Sequence, residues 1–197
     1  MSIKNLYSDD QYWESFKKGD DNSFEHIFKK HYHSLLSYGL GLKQDEEEIK
    51  ECIQILFSTL WERREFLGNI KSIKNYLIAS LRRLIIKRGK KFSLPNEPIE
   101  DNLHYHVEMS VEERFIKNQS LQIQVNSIQE AIKSLPDRQK EALYLKFYEN
   151  QSFKDIGNIL GISTRAVYKL IYKALDNLHV QLSARKKDVK RLLSVFF

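Results

Sequence analysis

The chain has 197 residues, 42% of them hydrophobic, with seven Gly, three Pro and one Cys, which suits one or two helical domains and leaves little punctuation for a β fold. The single cysteine, Cys52, excludes an internal disulfide framework, and no uninterrupted apolar run exceeds four residues, which excludes a membrane-spanning helix. The net charge of +6 points toward a polyanionic partner and is unevenly distributed. Residues 1–62 carry −5, residues 63–91 carry +9, residues 92–137 carry −5 and residues 138–197 carry +7. Two basic blocks on either side of an acidic connector predict two contacts with one polyanion, or one contact plus an electrostatic brake. The start, Met-Ser-Ile-Lys-Asn-Leu-Tyr-Ser-Asp-Asp, lacks the apolar core of a secretory signal, and with one cysteine the expected location is cytoplasmic.

The first organised segment runs from about Asp10 to Lys91. Tyr12, Trp13, Phe16, Phe24, Ile27, Phe28, Leu35 and Leu36 supply the apolar positions of its opening helices, with Gly19-Asp20-Asp21 at the turn between them. A longer amphipathic helix follows from about Asp45 to Arg64, on which Ile49, Cys52, Ile53, Leu56, Phe57, Leu60 and Trp61 recur at helical spacing and mark the core face. Its other side is a polar strip of Glu47, Glu48, Glu51, Gln54 and Ser58, read as solvated or as a docking surface for a basic helix. Phe66-Leu67-Gly68-Asn69 breaks the pattern. Ile73, Leu77, Leu81 and Leu84 then mark a helix ending near Gly89, whose other face gathers Tyr76, Arg83, Lys87 and Lys90. An aromatic ring sharing a side with cations suits unpaired nucleic acid, because a base stacks on the ring while the phosphates meet the charges, although taken alone the same face reads more simply as solvated.

From Phe92 to about Met109 the residues lack helical periodicity and include two of the three prolines, and are read as a linker. A helix from about Val111 to Leu135 carries Phe115, Leu121, Val125, Ile128 and Ile132. Pro136-Asp137 opens the next, holding Ala142, Leu143, Leu145 and Phe147, before Glu149-Asn150 turns. Residues 153–173 have the spacing of a helix-turn-helix: Ile156, Leu160, Ile162, Val167 and Leu170 face inward, Gly161 makes the turn and Gly157 leaves room for a close crossing. Arg165, Tyr168, Lys169, Tyr172 and Lys173 project outward, matched to phosphates and base edges, while Ser163 and Thr164 cap the second helix. The last fifteen residues, basic and then apolar, are read as a frayed tail, with a short docking helix as the alternative.

Candidate chemistry is sparse. His31 with His33, and His104 with His106, are the candidate metal pairs, and no Cys cluster or His-Glu-x-x-His spacing completes either. No P-loop, dinucleotide fingerprint or nucleophile elbow occurs, so neither catalysis nor a cofactor is expected.

Taken together, the parts resemble an RNA polymerase sigma factor of the sigma-70 family, extracytoplasmic-function group. Ile53-Gln54-Ile55-Leu56-Phe57-Ser58-Thr59-Leu60-Trp61-Glu62 looks like the region 2 signature, and Leu135-Pro136-Asp137-Arg138-Gln139 with the helix-turn-helix looks like region 4. The resemblance implies an all-α fold of two small helical domains: region 2 over 10–91, an acidic linker over 92–112, region 4 over 113–182 and a tail over 183–197. It implies that Glu51, Gln54 and Ser58 dock on the core polymerase. Phe66, Asn69, Tyr76, Arg83 and Lys87 would recognise and hold the melted minus-ten element. Ser163, Thr164, Arg165, Tyr168, Lys169 and Lys173 would read the minus-thirty-five element, with Arg138 near phosphate. Implied partners are core RNA polymerase, promoter DNA in duplex and melted form, and a membrane-tethered anti-sigma factor, with no insertion of this chain in the membrane. Departures fall at Ile55, Tyr76 and Arg83, where the family often carries an acid, a tryptophan and an asparagine. The competing reading is a stand-alone helix-turn-helix regulator that binds DNA without polymerase. Its two-component form needs a receiver of alternating strands and helices, which the helical patterning of residues 1–91 argues against. A helical nuclease or RNA-binding module would need clustered carboxylates.

Overall fold

The computed structural model describes residues 8–91, Tyr105 and residues 119–196. All regular structure among the described residues is helical, and the chain divides into two compact units, residues 1–103 and 104–197.

The first unit is built from α1 (Asp9–Lys17), α2 (Asp21–Leu42), α3 (Glu46–Glu62), a 3-10 turn (Arg64–Phe66) and α4 (Ile73–Lys91). Each of the first three helices begins where a polar side chain satisfies backbone N–H groups that have no partner inside the helix. Ser8 and Gln11 form a reciprocal capping box on α1, Asp20 accepts from the Ser23 amide at 2.8 Å, and Asp45 accepts from the Glu48 amide at 3.0 Å. The two Ser23 hydrogen bonds also hold the Asp20 carboxyl below its usual pKa. Gly19, at φ +90°, makes the α1–α2 turn at a backbone angle that side chains disfavour.

Helices α2, α3 and α4 pack mutually around Ile27, Leu35, Ile49, Ile53, Leu77 and Leu81, all but inaccessible to water. The stripe expected on α3 is the core face from Ile49 to Leu60. On α4, Ile78 and Ile85 join Ile73, Leu77 and Leu81 in the core, whereas Leu84 is only half-buried. The helix centres its apolar face one position away from the expected one.

The second unit contains α5 (Gln119–Lys133), α6 (Asp137–Leu143), a π-helical turn (Tyr144–Tyr148), α7 (Phe153–Leu160) and α8 (Thr164–Phe196). Its core is Ala131, Leu135, Ala142, Leu145, Ile156, Val167, Ile171 and Ala174. Two residues expected inside this core lie outside it. Ile128 is 41% exposed, because Ala131 and Leu135 supply the buried face of this stretch. Phe147 is 66% exposed. The π turn inserts a residue into the helical register, with the Glu149 amide donating to the Tyr144 carbonyl, and so swings the ring out of the apolar stripe.

The expected linker also needs correction at one residue: Tyr105 is buried, its ring 5.7 Å from that of Tyr144. A large aromatic ring recovers substantial apolar area on burial even within a polar stretch. The rest of 92–112, with Phe115, Leu121 and Val125, lies outside the described side chains. The expected frayed tail is helical instead, since α8 continues to Phe196.

Candidate nucleic-acid interface

The second unit presents the outward row from a rigid turn. Ser152 caps α7 by accepting from the Asp155 amide at 3.1 Å, and α7 ends at Gly161, whose φ of +70° allows the sharp reversal. A Cβ on Gly157 would lie 2.8 Å from the Ile162 carbonyl oxygen, so the turn closes directly over that glycine. Ser163 caps α8, accepting from the Ala166 amide at 3.2 Å, and Thr164 is exposed in the first turn. Arg165, Tyr168, Lys169, Tyr172 and Lys173 are all exposed, while Val167 and Ile171 are buried behind them. Arg138 is exposed in the first turn of α6. Leu160, Ile162 and Leu170 are half-buried, lining the hinge rather than the deep core.

One arrangement on this face was not foreseen. Tyr168 does not project alone: its ring lies parallel to that of Phe153, with centroids 3.9 Å apart and 12° between planes. The Lys146 ammonium sits 4.8 Å from the Phe153 ring centroid. The available signal was an aromatic residue opening α7, directly after its Ser cap.

Behind the face, Glu141, Glu149, Gln139 and Gln151 are buried. Tyr144 donates to Glu149 at 3.1 Å, and Asn177 on α8 donates to Gln139 on α6 at 3.0 Å. Burial pushes the Tyr105 and Tyr144 hydroxyls above their usual pKa, with the Glu149 charge adding to the effect, so both remain protonated near neutral pH. The Asn177–Gln139 bond ties α6 to the helix that carries the outward row, while the Tyr144–Glu149 bond closes the π turn on itself.

In the first unit the singled-out residues are less free. Glu51 forms a 2.9 Å ion pair with Arg88 of α4, which holds the guanidinium pKa above its usual value. Ser58 donates to Glu62 at 3.3 Å, and Gln54 is exposed beside it. Gln54, Ser58 and Lys50 edge a groove of about 540 Å³ whose floor is aromatic, formed by Phe24, Phe28, Phe57 and Trp61.

The Phe66–Asn69 loop is tied to α1, because Trp13 donates its indole N–H to the Gly68 backbone carbonyl at 3.2 Å and Lys17 donates to the Asn69 side-chain Oδ1 at 2.9 Å. Phe66 itself is 88% exposed. Tyr76 is half-buried, edge-on to Trp13 with centroids 5.7 Å apart, so part of the surface expected to be open is already used. Arg83 is exposed but turned back onto its own helix, donating to the Ala79 carbonyl at 3.1 Å, and Lys87 is exposed one turn on. The Lys90 side chain lies outside the described residues.

No group of three or more His, Cys, Asp or Glu gathers among the described residues. Of the candidate metal pairs, His31 is buried and His33 exposed, while His104 and His106 lie outside the described residues. Burial raises the Cys52 thiol pKa, which disfavours the reactive thiolate. Among the described residues no helix is long and apolar enough to cross a membrane.

The family profile described as Sigma-70, region 4 matches residues 126–178, the stretch containing the helix-turn-helix. The RNA polymerase sigma-E factor of Streptomyces antibioticus is 23% identical over 187 residues, covering 89% of this chain and 93% of that protein. The RNA polymerase sigma factor SigZ of Bacillus subtilis is 27% identical over 143 residues, covering 72% and 76%. Among solved structures, CnrH in complex with the cytosolic domain of CnrY superposes with a TM-score of 0.58 at 16% identity, covering 90% of this chain and 99% of that one. The sigma factor RpoE of Bartonella quintana, solved with the anti-sigma factor NepR, gives 0.56 at 14% identity, covering 82% and 98%. These two structures share the fold.

Proposed function

We propose that this chain is an RNA polymerase sigma factor of the sigma-70 family, extracytoplasmic-function group, a reading supported by the region 4 match and by the sigma-factor relatives, and that its surfaces divide the work of promoter recognition. The second unit, with residues 113–182 as its working domain, reads the minus-thirty-five element. Arg165, Tyr168, Lys169 and Lys173 face the major groove, while Arg138, Ser163 and Thr164 lie toward phosphate. A bidentate Arg contact to guanine is worth about 1–3 kcal/mol of discrimination, and lysines add salt-dependent affinity for any sequence.

The first unit, residues 10–91, binds core polymerase through Glu51, Gln54 and Ser58. It holds the melted minus-ten strand on Phe66, Asn69, Tyr76, Arg83 and Lys87. Residues 92–112, apart from the buried Tyr105, serve as an acidic linker, and residues 183–197 form the C-terminal tail, in which α8 continues to Phe196. The reaction's chemistry belongs to the polymerase; this chain acts in the cytoplasm as a specificity subunit and not as an enzyme. An anti-sigma factor restrains it, a reading supported by the fold shared with RpoE, which was solved with such a partner.

The observation that most supports this division is the exposed cationic and aromatic row on α8, fixed in place by the left-handed Gly161 turn. The test is co-purification of the tagged chain with core RNA polymerase, followed by run-off transcription with that core. Stoichiometric capture and new promoter-dependent transcripts are expected. Sequence-specific DNA binding without polymerase capture would favour the free-standing regulator.

A further inference from the structure

A tyrosine on an exposed helix face ordinarily samples several rotamers, and freezing it on a base edge costs binding free energy. Tyr168 is not in that situation. One ring face is covered by Phe153, nearly parallel with centroids 3.9 Å apart, and yet the residue remains 42% exposed. The Lys146 ammonium also lies over the Phe153 ring, 4.8 Å from its centroid. Lys146 in turn is anchored by donating to the Gln151 carbonyl at 3.2 Å. The three side chains come from the π turn, the first residue of α7 and the exposed face of α8, so the stack bridges both helices of the motif. Tyr172, one turn further along α8, lies parallel to Tyr168 at 6.3 Å and 14°, extending the aromatic row.

We propose that Phe153 is a positioning residue for minus-thirty-five readout: its ring, backed by Lys146, fixes the Tyr168 side chain in one orientation before DNA arrives, and so sets base preference where Tyr168 reaches. The inference rests on the promoter-reading role assigned above to α8. Phe153 need make no base contact itself. Its effect is transmitted through a tyrosine that loses no rotamer freedom on binding, so discrimination at that tyrosine's base pair is sharpened while phosphate contacts elsewhere are unaffected. The cation over the Phe153 ring strengthens the arrangement electrostatically.

The test uses holoenzyme reconstituted with core RNA polymerase and a promoter library randomised over the upstream element. Wild type is compared with Phe153→Leu, Phe153→Tyr, Lys146→Met, Tyr168→Ala and the Phe153→Leu/Tyr168→Ala pair, each checked for a native circular dichroism spectrum. Phe153→Leu is expected to reduce discrimination by about three- to tenfold, the factor for re-immobilising one freed aromatic side chain. That loss falls only at the base pairs whose preference Tyr168→Ala also flattens, with the salt slope unchanged. Phe153→Tyr retains the preference, Lys146→Met weakens it slightly, and Phe153→Leu adds nothing in the Tyr168→Ala background.

A uniform loss across all library sequences would assign Phe153 a purely structural role and overturn the proposal. So would an undiminished Phe153→Leu effect without Tyr168, or wild-type preferences that Tyr168→Ala leaves intact. A wild-type holoenzyme with no sequence preference anywhere in the library would instead remove the promoter-reading role, and this inference with it.

Discussion

The two units expose their working residues in different ways. On α8 the outward row follows from the helical period once Gly161 has set the direction of the helix, and the buried Val167 and Ile171 mark its opposite side. In the first unit the corresponding residues are held by side chains far away in sequence: Glu51 by Arg88, Asn69 by Lys17 and Tyr76 by Trp13. A short motif can carry its own geometry. A face assembled from three helices acquires its accessibility only in the folded unit, and under the proposed roles its residues exchange protein partners for nucleic acid or polymerase.

The largest expected effect probes the first unit through His31, whose buried imidazole has a pKa lowered from 6.5 to about 4. Burial is the main cause, reinforced by Lys30 on its own helix, opposed by Asp9 of α1, and reinforced again by Lys74 of α4 and by His26. The fold therefore disfavours the charged form. The associated stability is fully present above pH 6.5 and is lost as the pH falls toward 4, by about 3 kcal/mol in total. Urea unfolding followed between pH 7 and pH 4 should show this loss, and His31→Leu should flatten it relative to wild type. Parallel curves for the two proteins would show that His31 is not the group responsible.

Gly157→Val addresses the second unit, where a side chain would press on the Ile162 carbonyl from 2.8 Å. A loss of about 2–3 kcal/mol in unfolding free energy is expected from such overpacking, together with weakened upstream-element binding. Full stability in the variant would mean that the turn does not depend on that close approach.

Arg165→Ala should then cost about 2 kcal/mol of discrimination at one base pair, while Lys169→Ala weakens all sequences alike. Equal behaviour of the two variants across upstream-element substitutions would remove the distinction between base reading and phosphate contact on α8.

The smallest change in stability belongs to the polar strip. Glu51→Gln breaks a surface ion pair and should shift unfolding only slightly, whereas Gln54→Ala should leave unfolding unchanged and still weaken capture of core polymerase. Undiminished capture by a folded Gln54→Ala variant would remove Gln54 from the docking surface.

The sequence made much of the fold legible because its helices announce themselves twice, by apolar spacing and by caps. Asp45 opens α3 and Ser163 opens α8 where the pattern placed them, and Gly161 takes the expected positive φ. What remained hidden depended on departures from regular geometry or on distant partners. The π turn that expels Phe147 has no signature in an alternation of apolar residues, and Tyr105 sits in a stretch whose composition reads as connector while its ring packs on Tyr144. The Phe153–Tyr168 stack joins residues fifteen apart across a turn, beyond the reach of any single helical period.

The central claim is that the two units work on two different promoter elements within one holoenzyme. The most direct measurement is cross-linking from a photoreactive amino acid installed at position 172 and, separately, at position 69, in holoenzyme bound to a promoter it transcribes. The account predicts cross-links from position 172 to duplex at the minus-thirty-five element and from position 69 to the unpaired strand at the minus-ten element. Cross-links from both positions to a single element, or none from position 69 once the strands are open, would contradict it.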